Sequence, residues 1–301
     1  MTPDLAALRP LLGRLNDLKR VRAAHDPASS LAQRGFARAW ADLAAGADPA
    51  AVAVRETASA LAAVELAGID AGVLQRAGLS TDAVGELLRT AVEKAGAFLR
   101  ADFRTRLVAA AASRRDGIGV SVPSFVKHLQ NQPRAGATHP TEPRLILEPP
   151  ESHADHCYLV AVVAALLAGQ AGADIGTPFL AGLAHHLHNA FLPDAGFAGE
   201  ELLGSHLKPV MDAFTAAALA ELPTAVADRV RESFKLLPAP DSPEAEAFHA
   251  ADVIDRVLEV VHYDRVARFR MADALDTLGL VHPGPFKPFQ DRVLAAAGLV
   301  P

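Results

Sequence analysis

Three histidines within four consecutive positions constrain this chain more than any other feature. His185, His186 and His188 lie in the stretch 183–189, inside a run that otherwise has the character of a buried helix. Each imidazole brings two polar nitrogens into the interior, and each nitrogen needs a partner. A metal ion gives several such nitrogens a partner at once. The stretch therefore predicts a helical interior built around a polar site.

The composition favours an all-α fold. Half of the 301 residues are apolar, alanine is abundant, and aromatic residues make up only 5%. Alanine is the best helix former, and the β-branched clusters expected of strands are few and short. Apolar residues recur at helical spacing in segments bounded by capping signals. They predict helices over 4–23, 29–45, 48–67, 81–112, 152–168, 177–192, 207–220, 224–236 and 242–268.

Breaker residues suggest where the chain divides. Residues 1–118 are predicted to form an N-terminal helical domain, and residues 151–301 a second helical bundle. The prolines and glycines of 119–150 predict a linker or a long ordered loop between them. In that segment Arg134 lies either near a site or in a solvated turn. Residues 194–206 are predicted to form a glycine-punctuated loop.

Charge and cysteine usage exclude several classes of protein. The single cysteine, Cys157, rules out an intrachain disulfide and a cysteine-based zinc site, and it suits a reducing compartment. The net charge is −6, and basic residues are not clustered with aromatics, which argues against a nucleic-acid surface.

The amino terminus lacks the pattern of a signal peptide. The longest apolar run, Leu159–Ala168, is about half of what a bilayer helix needs. We expect a cytoplasmic protein without a membrane partner, whose alanine-rich helical faces suit a homo-oligomer.

Three predicted helices each carry candidate metal ligands inside an apolar pattern. The first offers His156, the second His185 and His186, and the third Asp252. Imidazole and carboxylate suit a divalent transition ion, which could be Mn, Fe, Co, Ni or Zn. Ligands that come from separate helices are how metal sites in bundle cores are generally built.

These segments resemble the motifs of the HD-domain superfamily of metal-dependent phosphohydrolases. Residues 151–161, ESHADHCYLVA, are similar to its first motif, E-x-x-A-E-H-S-x-x-V-A. Residues 183–190, LAHHLHNA, are similar to the second, L-L-H-D-x-x-E-A. Residues 250–255, AADVID, are similar to the last, x-A-D-x-L-D. The resemblance covers roughly residues 145–265, and it implies an HD-like helical bundle for the second part of the chain.

The resemblance also implies a ligand set. It makes His156, His185 and Asp252 metal ligands, and it places His186 where the family has the aspartate of its name. An imidazole can bind a metal, but it lacks the negative charge of that aspartate. The alternatives are a buried histidine bonded to a backbone carbonyl and, for Asp252, an ion pair with Arg256. His249 and Asp255 are expected beside the ligands or at the surface, and His153 is expected to be a polar residue at the start of its helix.

Asn189 is the second departure from the family pattern. The family's nucleotidases have an acid at this position, and an amide cannot act as a general base. Glu200, Glu201 and Asp194 are the candidate replacements, although Asp194 is also a common turn former.

Further histidines offer weaker roles. His206 follows the pair at the distance where two-metal members of the superfamily place another ligand, although a loop histidine is the simpler interpretation. His188 and Asn189 are candidate substrate contacts.

The resemblance, together with these departures from it, implies three alternative functions. The first is a metal-dependent phosphohydrolase that acts on a small phosphate ester such as a nucleotide. The second is a catalytically degenerate HD domain that binds a ligand or a partner without turnover, which the changes at His186 and Asn189 would explain. The third is a di-iron oxygenase, for which His206 is the only sign.

Overall fold

The computed structural model describes residues 4–24, 26–112, 122–139, 141–268, 270 and 284–298, and these residues confirm the all-α prediction. The helices are α1 (Leu5–Asn16), α2 (Leu31–Ala44), α3 (Pro49–Leu66), α4 (Ala71–Arg76), α5 (Thr81–Ala95), α6 (Ala101–Ala110), α7 (Ser124–Asn131), α8 (His153–Ala171), α9 (Gly176–Ala184), α10 (Gly196–Leu203), α11 (Leu207–Leu219), α12 (Thr224–Ser233), α13 (Pro243–Arg268) and α14 (Lys287–Ala296). Short 3-10 turns cover Asp17–Lys19, Leu187–Ala190, Gly204–His206 and Phe234–Leu236. Two antiparallel hairpins pair β1 (Arg22–Ala23) with β2 (Asp26–Ser30) and β3 (Ala137–His139) with β4 (Glu142–Leu145).

Helix α8 is the centre of the core. Every residue from its start to Gly169 is buried, because the helix is apolar on all sides and has no face that suits water. Ser152 and Asp155 form a capping box at its start, and Gly172 ends it in the left-handed conformation at φ +78°. Among the described residues, α8 alone has the length and hydropathy to cross a bilayer, and here it is enclosed by α2, α3, α7 and α9.

Helix α9 approaches α8 closely. A Cβ atom on Gly182 would lie 2.6 Å from the Cα of Ala161, so only a glycine permits this separation. Asp174 accepts hydrogen bonds from the backbone N–H groups of Gly176 and Thr177 and thereby starts the helix. The close contact places the end of α9 beside the first turn of α8.

Several helix boundaries differ from the prediction. The helix predicted over 81–112 is divided into α5 and α6, because Gly96 caps α5 and the chain turns before Ala101. The helix predicted over 177–192 stops at Ala184 and continues as a 3-10 turn, in which Asn189 bonds the carbonyl of Leu192. The loop predicted over 194–206 contains α10.

The compact units do not follow the breaker residues. Met1–Leu258 forms one unit and Glu259–Pro301 forms another. The first unit crosses the predicted boundaries at 118 and 150 because α2, α3 and α7 all pack against α8 in a single core. The segment predicted as a linker or ordered loop holds α7 and the β3–β4 hairpin, while the breakers at 117–119 lie outside the described residues.

Candidate metal centre

Three candidate ligand atoms, carried by α8, by α13 and by the residue after α9, lie close together. His156 lies in the first turn of α8, His185 follows α9, and Asp252 lies on α13. The Nε2 atom of His156 is 3.2 Å from Nε2 of His185 and 3.4 Å from Oδ1 of Asp252, and the remaining pair is 4.0 Å apart. Tetrahedral ligands with metal–nitrogen bonds of 2.0–2.1 Å lie roughly 3.3 Å from one another. The three atoms therefore have nearly the spacing of a metal's coordination shell.

The outer ring nitrogens determine which atoms can bind a metal. Nδ1 of His156 lies 2.7 Å from the carboxylate of Asp255, and Nδ1 of His185 lies 2.8 Å from the carbonyl oxygen of Gly182. Both partners are acceptors, so each neutral ring carries its hydrogen on Nδ1 and a lone pair on Nε2. Two such lone pairs face each other across 3.2 Å. A shared cation removes this repulsion, and the donor set therefore fits a metal.

Burial keeps these rings neutral near pH 7. Loss of hydration lowers the pKa of His156 to about 4 and that of His185 to about 3, and it also places the pKa of His186 well below 6.5. For Asp252, burial raises the pKa, but the nearby imidazole groups of His156 and His185 and the guanidinium group of Arg256 outweigh it and hold the pKa well below its usual value. The site therefore combines neutral imidazoles with an ionised carboxylate, which is the protonation state that a divalent metal requires.

A buried lysine supports the centre from behind. Lys19, in the 3-10 turn after α1, contacts Glu151 and lies 2.8 Å from Asp255. Glu151, His156 and Asp255 could themselves hold a cation, and the ammonium group of Lys19 lies between the two acids. Asp255 is 2% exposed and holds His156 in place, which is one of the two roles expected for it. Lys19 was not predicted to belong to the site, because its partners are 132 and 236 residues away along the chain.

His186 lies in the cluster but has other partners. Its ring is 4.3 Å from that of His185, and one nitrogen each of His156, His185 and His186 falls within 4.8 Å of the others. Its Nδ1–H donates to Oδ1 of Asn189 at 2.9 Å, which leaves Nε2 to accept from Arg134 at 3.1 Å. The ligand role of His186 therefore stays a prediction, and at that nitrogen a metal would have to displace a guanidinium group.

Arg134 comes to the site rather than to a solvated turn. Its backbone N–H donates to the carbonyl of Glu151, and its Nε lies 3.5 Å from the Glu151 carboxylate. These contacts aim the guanidinium group at His186, and the side chain is still 21% exposed. A partly exposed arginine beside neutral histidines is suited to bind an anion.

The weaker candidates have different surroundings. Asp194 accepts from the backbone N–H groups of Ala135 and Gly196, which matches the turn-former interpretation. Glu200, Glu201 and His206 are exposed on α10 and the turn that follows it. His188 is buried, and its loss of hydration lowers its pKa to about 4.

Two neighbours of the candidate ligands, and the candidate ligand Asp252, have further partners within the protein. His153 contacts the carbonyl of Gln132, His249 contacts that of Leu236, and Asp252 pairs with Arg256 while Oδ1 faces the histidines.

Comparison with known proteins gives one match. A family described as HD domain matches residues 126–276, which is half of the chain and includes every ligand proposed above. No curated protein and no solved structure matches.

Proposed function

Because the chain belongs to the HD-domain family, we propose that its histidine cluster binds a divalent transition metal and that the protein hydrolyses a small phosphate ester. The observation that carries the proposal is the pair of bare Nε2 atoms of His156 and His185, which face each other beside Oδ1 of Asp252. Two nitrogens and one carboxylate oxygen suit Mn, Fe, Co, Ni or Zn.

The proposed ligands are His156, His185 and Asp252, with His186 as a fourth that competes with Arg134. When bound, the metal would polarise a phosphoryl oxygen and lower the pKa of a coordinated water. Asp255 keeps the hydrogen of His156 on Nδ1, so that Nε2 remains a ligand atom. Gly182 does the same for His185 through its carbonyl oxygen.

Arg134 is the proposed contact for the phosphate. A guanidinium group offers two parallel N–H donors that match two phosphate oxygens. In moving from His186 to a phosphate, Arg134 would free the Nε2 atom of His186 for the metal. Substrate binding and completion of the ligand set would then favour each other. His188 and Asn189 follow His186 by two and three residues and stay candidate substrate contacts.

Ligand binding without turnover is the second candidate function, and Asn189 is the observation that favours it. The amide bonds His186 through its oxygen and Leu192 through its nitrogen, and it cannot accept a proton. The candidate replacements Glu200 and Glu201 are exposed on α10. The two functions differ in turnover and share the metal.

The deciding experiment starts with protein purified without chelator or a metal-affinity tag. Elemental analysis and titration with Mn²⁺, Co²⁺ and Zn²⁺ are followed by a screen of phosphomonoesters and nucleotides. The matched variants are His185→Ala in the cluster and His139→Ala at an exposed position of β3. Phosphate release that needs metal and is lost only in His185→Ala supports hydrolysis. Metal binding without release supports the second function, iron with oxygen consumption supports an oxygenase, and absence of metal binding overturns the proposal.

A further inference from the structure

A second site lies in the first part of the chain. A cavity of about 480 Å³ opens between α2 and α3, and Tyr158 of α8 forms part of its wall. No histidine of the metal centre is among its described lining residues. Its volume falls within the usual 300–1,000 Å³ of small-molecule sites. Helix α3 faces the space largely with alanine, whose methyl group leaves volume unfilled. Its lining alanines are Ala60, Ala62 and Ala63.

One of the two arginines in the cavity wall is already paired. Nη2 of Arg38 lies 2.9 Å from Glu56, whose side chain is 3% exposed. The hydroxyl of Tyr158 donates to the same carboxylate at 3.1 Å. This group of three side chains satisfies itself and forms a fixed polar part of the wall.

The other arginine has an unused donor. Nη1 of Arg34 is buried and has no hydrogen-bond partner among the described residues. Nη2 reaches Asp70 only at 3.4 Å, and the side chain of Asp70 is half exposed. A buried N–H group without an acceptor is costly, since it has lost water and gained nothing in return. A ligand with an acidic oxygen would remove this cost.

The remaining wall defines the class of ligand. Glu56 already offsets the charge of Arg38, and Asp26 and Asp70 also line the cavity, so a doubly charged phosphate would meet two carboxylates and one arginine without a close partner. A singly charged carboxylate matches one unpaired guanidinium nitrogen. Gln130 also lines the cavity, and its amide nitrogen donates to the carbonyl of Gln33. The large apolar lining side chains would contact the body of the ligand; they are Leu18, Leu31, Ile69 and Leu88. We propose that this cavity binds a small monocarboxylate with an apolar body, and that Arg34 holds its carboxylate.

This site does not depend on the metal centre, so its test is made in the presence of a chelator. Binding of octanoate to the full chain is measured by titration calorimetry, with octanol and inorganic phosphate as comparison probes. The variant Arg34→Gln removes the anchor, and Ala63→Leu fills the cavity while it leaves Arg34 in place. The control is Arg55→Gln, because Arg55 pairs with Asp42 and does not line the cavity.

We expect octanoate to bind more tightly than octanol or phosphate. Arg34→Gln and Ala63→Leu should each weaken octanoate binding at least about tenfold, and Arg55→Gln should leave it unchanged. Absence of octanoate binding at millimolar concentration would overturn the proposal. Equal binding of octanol, displacement by phosphate, or unchanged affinity in both cavity variants would also overturn it. Because Ala63→Leu tests the cavity by another route, the conclusion survives if Arg34→Gln fails to fold.

Discussion

Two adjacent histidines, His185 and His186, have different surroundings. His185 uses one nitrogen to bond Gly182 and directs the other at His156 and Asp252. His186 has protein partners on both nitrogens, Asn189 on one and Arg134 on the other. A histidine's place in a motif does not by itself make it a ligand, because the partner of its second nitrogen decides whether a lone pair is left. We call the part of the cluster around His185 the lone-pair side and the part around His186 the arginine side.

The largest expected effect concerns the support beneath the lone-pair side. Lys19→Met should lower the free energy of unfolding by about 3–5 kcal/mol, because the buried carboxylates of Glu151 and Asp255 would lose the ammonium group that lies between them. Urea unfolding in the presence of a chelator measures this loss. The control is Arg14→Met, which breaks the partly exposed pair with Glu65 and should cost less than about 1 kcal/mol. Equal effects would show that the lysine has no special part in the site.

Loss of a lone-pair ligand comes next. His185→Ala should weaken metal binding by at least about 100-fold, or 2.7 kcal/mol, while helical content is retained. Competition with a chromophoric chelator gives the affinity. His186→Ala is the direct comparison, and we expect a smaller loss because Arg134 already occupies its second nitrogen. Full metal occupancy in His185→Ala would remove the basis for distinguishing the two sides.

The partner of His156 should matter less than the ligands themselves. Asp255→Asn keeps the shape but gives Nδ1 a neutral partner, and we expect metal affinity to fall about 10- to 100-fold. The same change at Asp194, which contacts His153 outside the ligand set, serves as the control. If both variants bind metal as tightly as the wild type does, the tautomer of His156 does not determine the metal affinity of the site.

Acid should destabilise the metal-free protein. The pKa values of His156 and His185 are about 4 and about 3 in the folded state and about 6.5 in the unfolded state, so only the unfolded chain takes up protons between these values. Stability should therefore be lost as pH falls below about 6.5. From pH 7 to 5.5 each such histidine should contribute about 1 kcal/mol of loss. Urea unfolding of His185→Ala at both pH values should show a correspondingly smaller change, and an identical change would contradict this account.

The smallest expected effects concern Arg134, whose loss should change metal affinity and phosphate affinity in opposite directions. Arg134→Met removes a cation that contacts the cluster, so metal affinity should rise about threefold. The same variant should bind inorganic phosphate or a phosphate ester more weakly, because the guanidinium donors are lost. Both are measured by calorimetry. A fall in metal affinity would mean that Arg134 orders the ligands instead of competing with the metal.

Local signals accounted for the fold class and the ligand-bearing helices. The capping box of Ser152 and Asp155 and the apolar surroundings of His156 are readable within a few residues, and the family match agrees with the three motifs. The role of Lys19 could not be predicted, because tertiary packing brings it to the site, and for Arg134 the sequence left a site and a solvated turn as alternatives. The cavity beside Arg34 also gave no sign, since alanine spacing predicts a helix and does not reveal unfilled volume.

The contact between Gly182 and Ala161 controls the spacing of the candidate ligands. Gly182 fixes how closely two helices approach, and its own carbonyl oxygen orients the ring of His185 three residues later. Gly182 thus sets both the distance between the two helices and the orientation of the His185 ring. Any larger residue there would push apart α8, which carries His156, and α9, which His185 follows. Position 182 is therefore where the width of the centre can be adjusted with every ligand left unchanged.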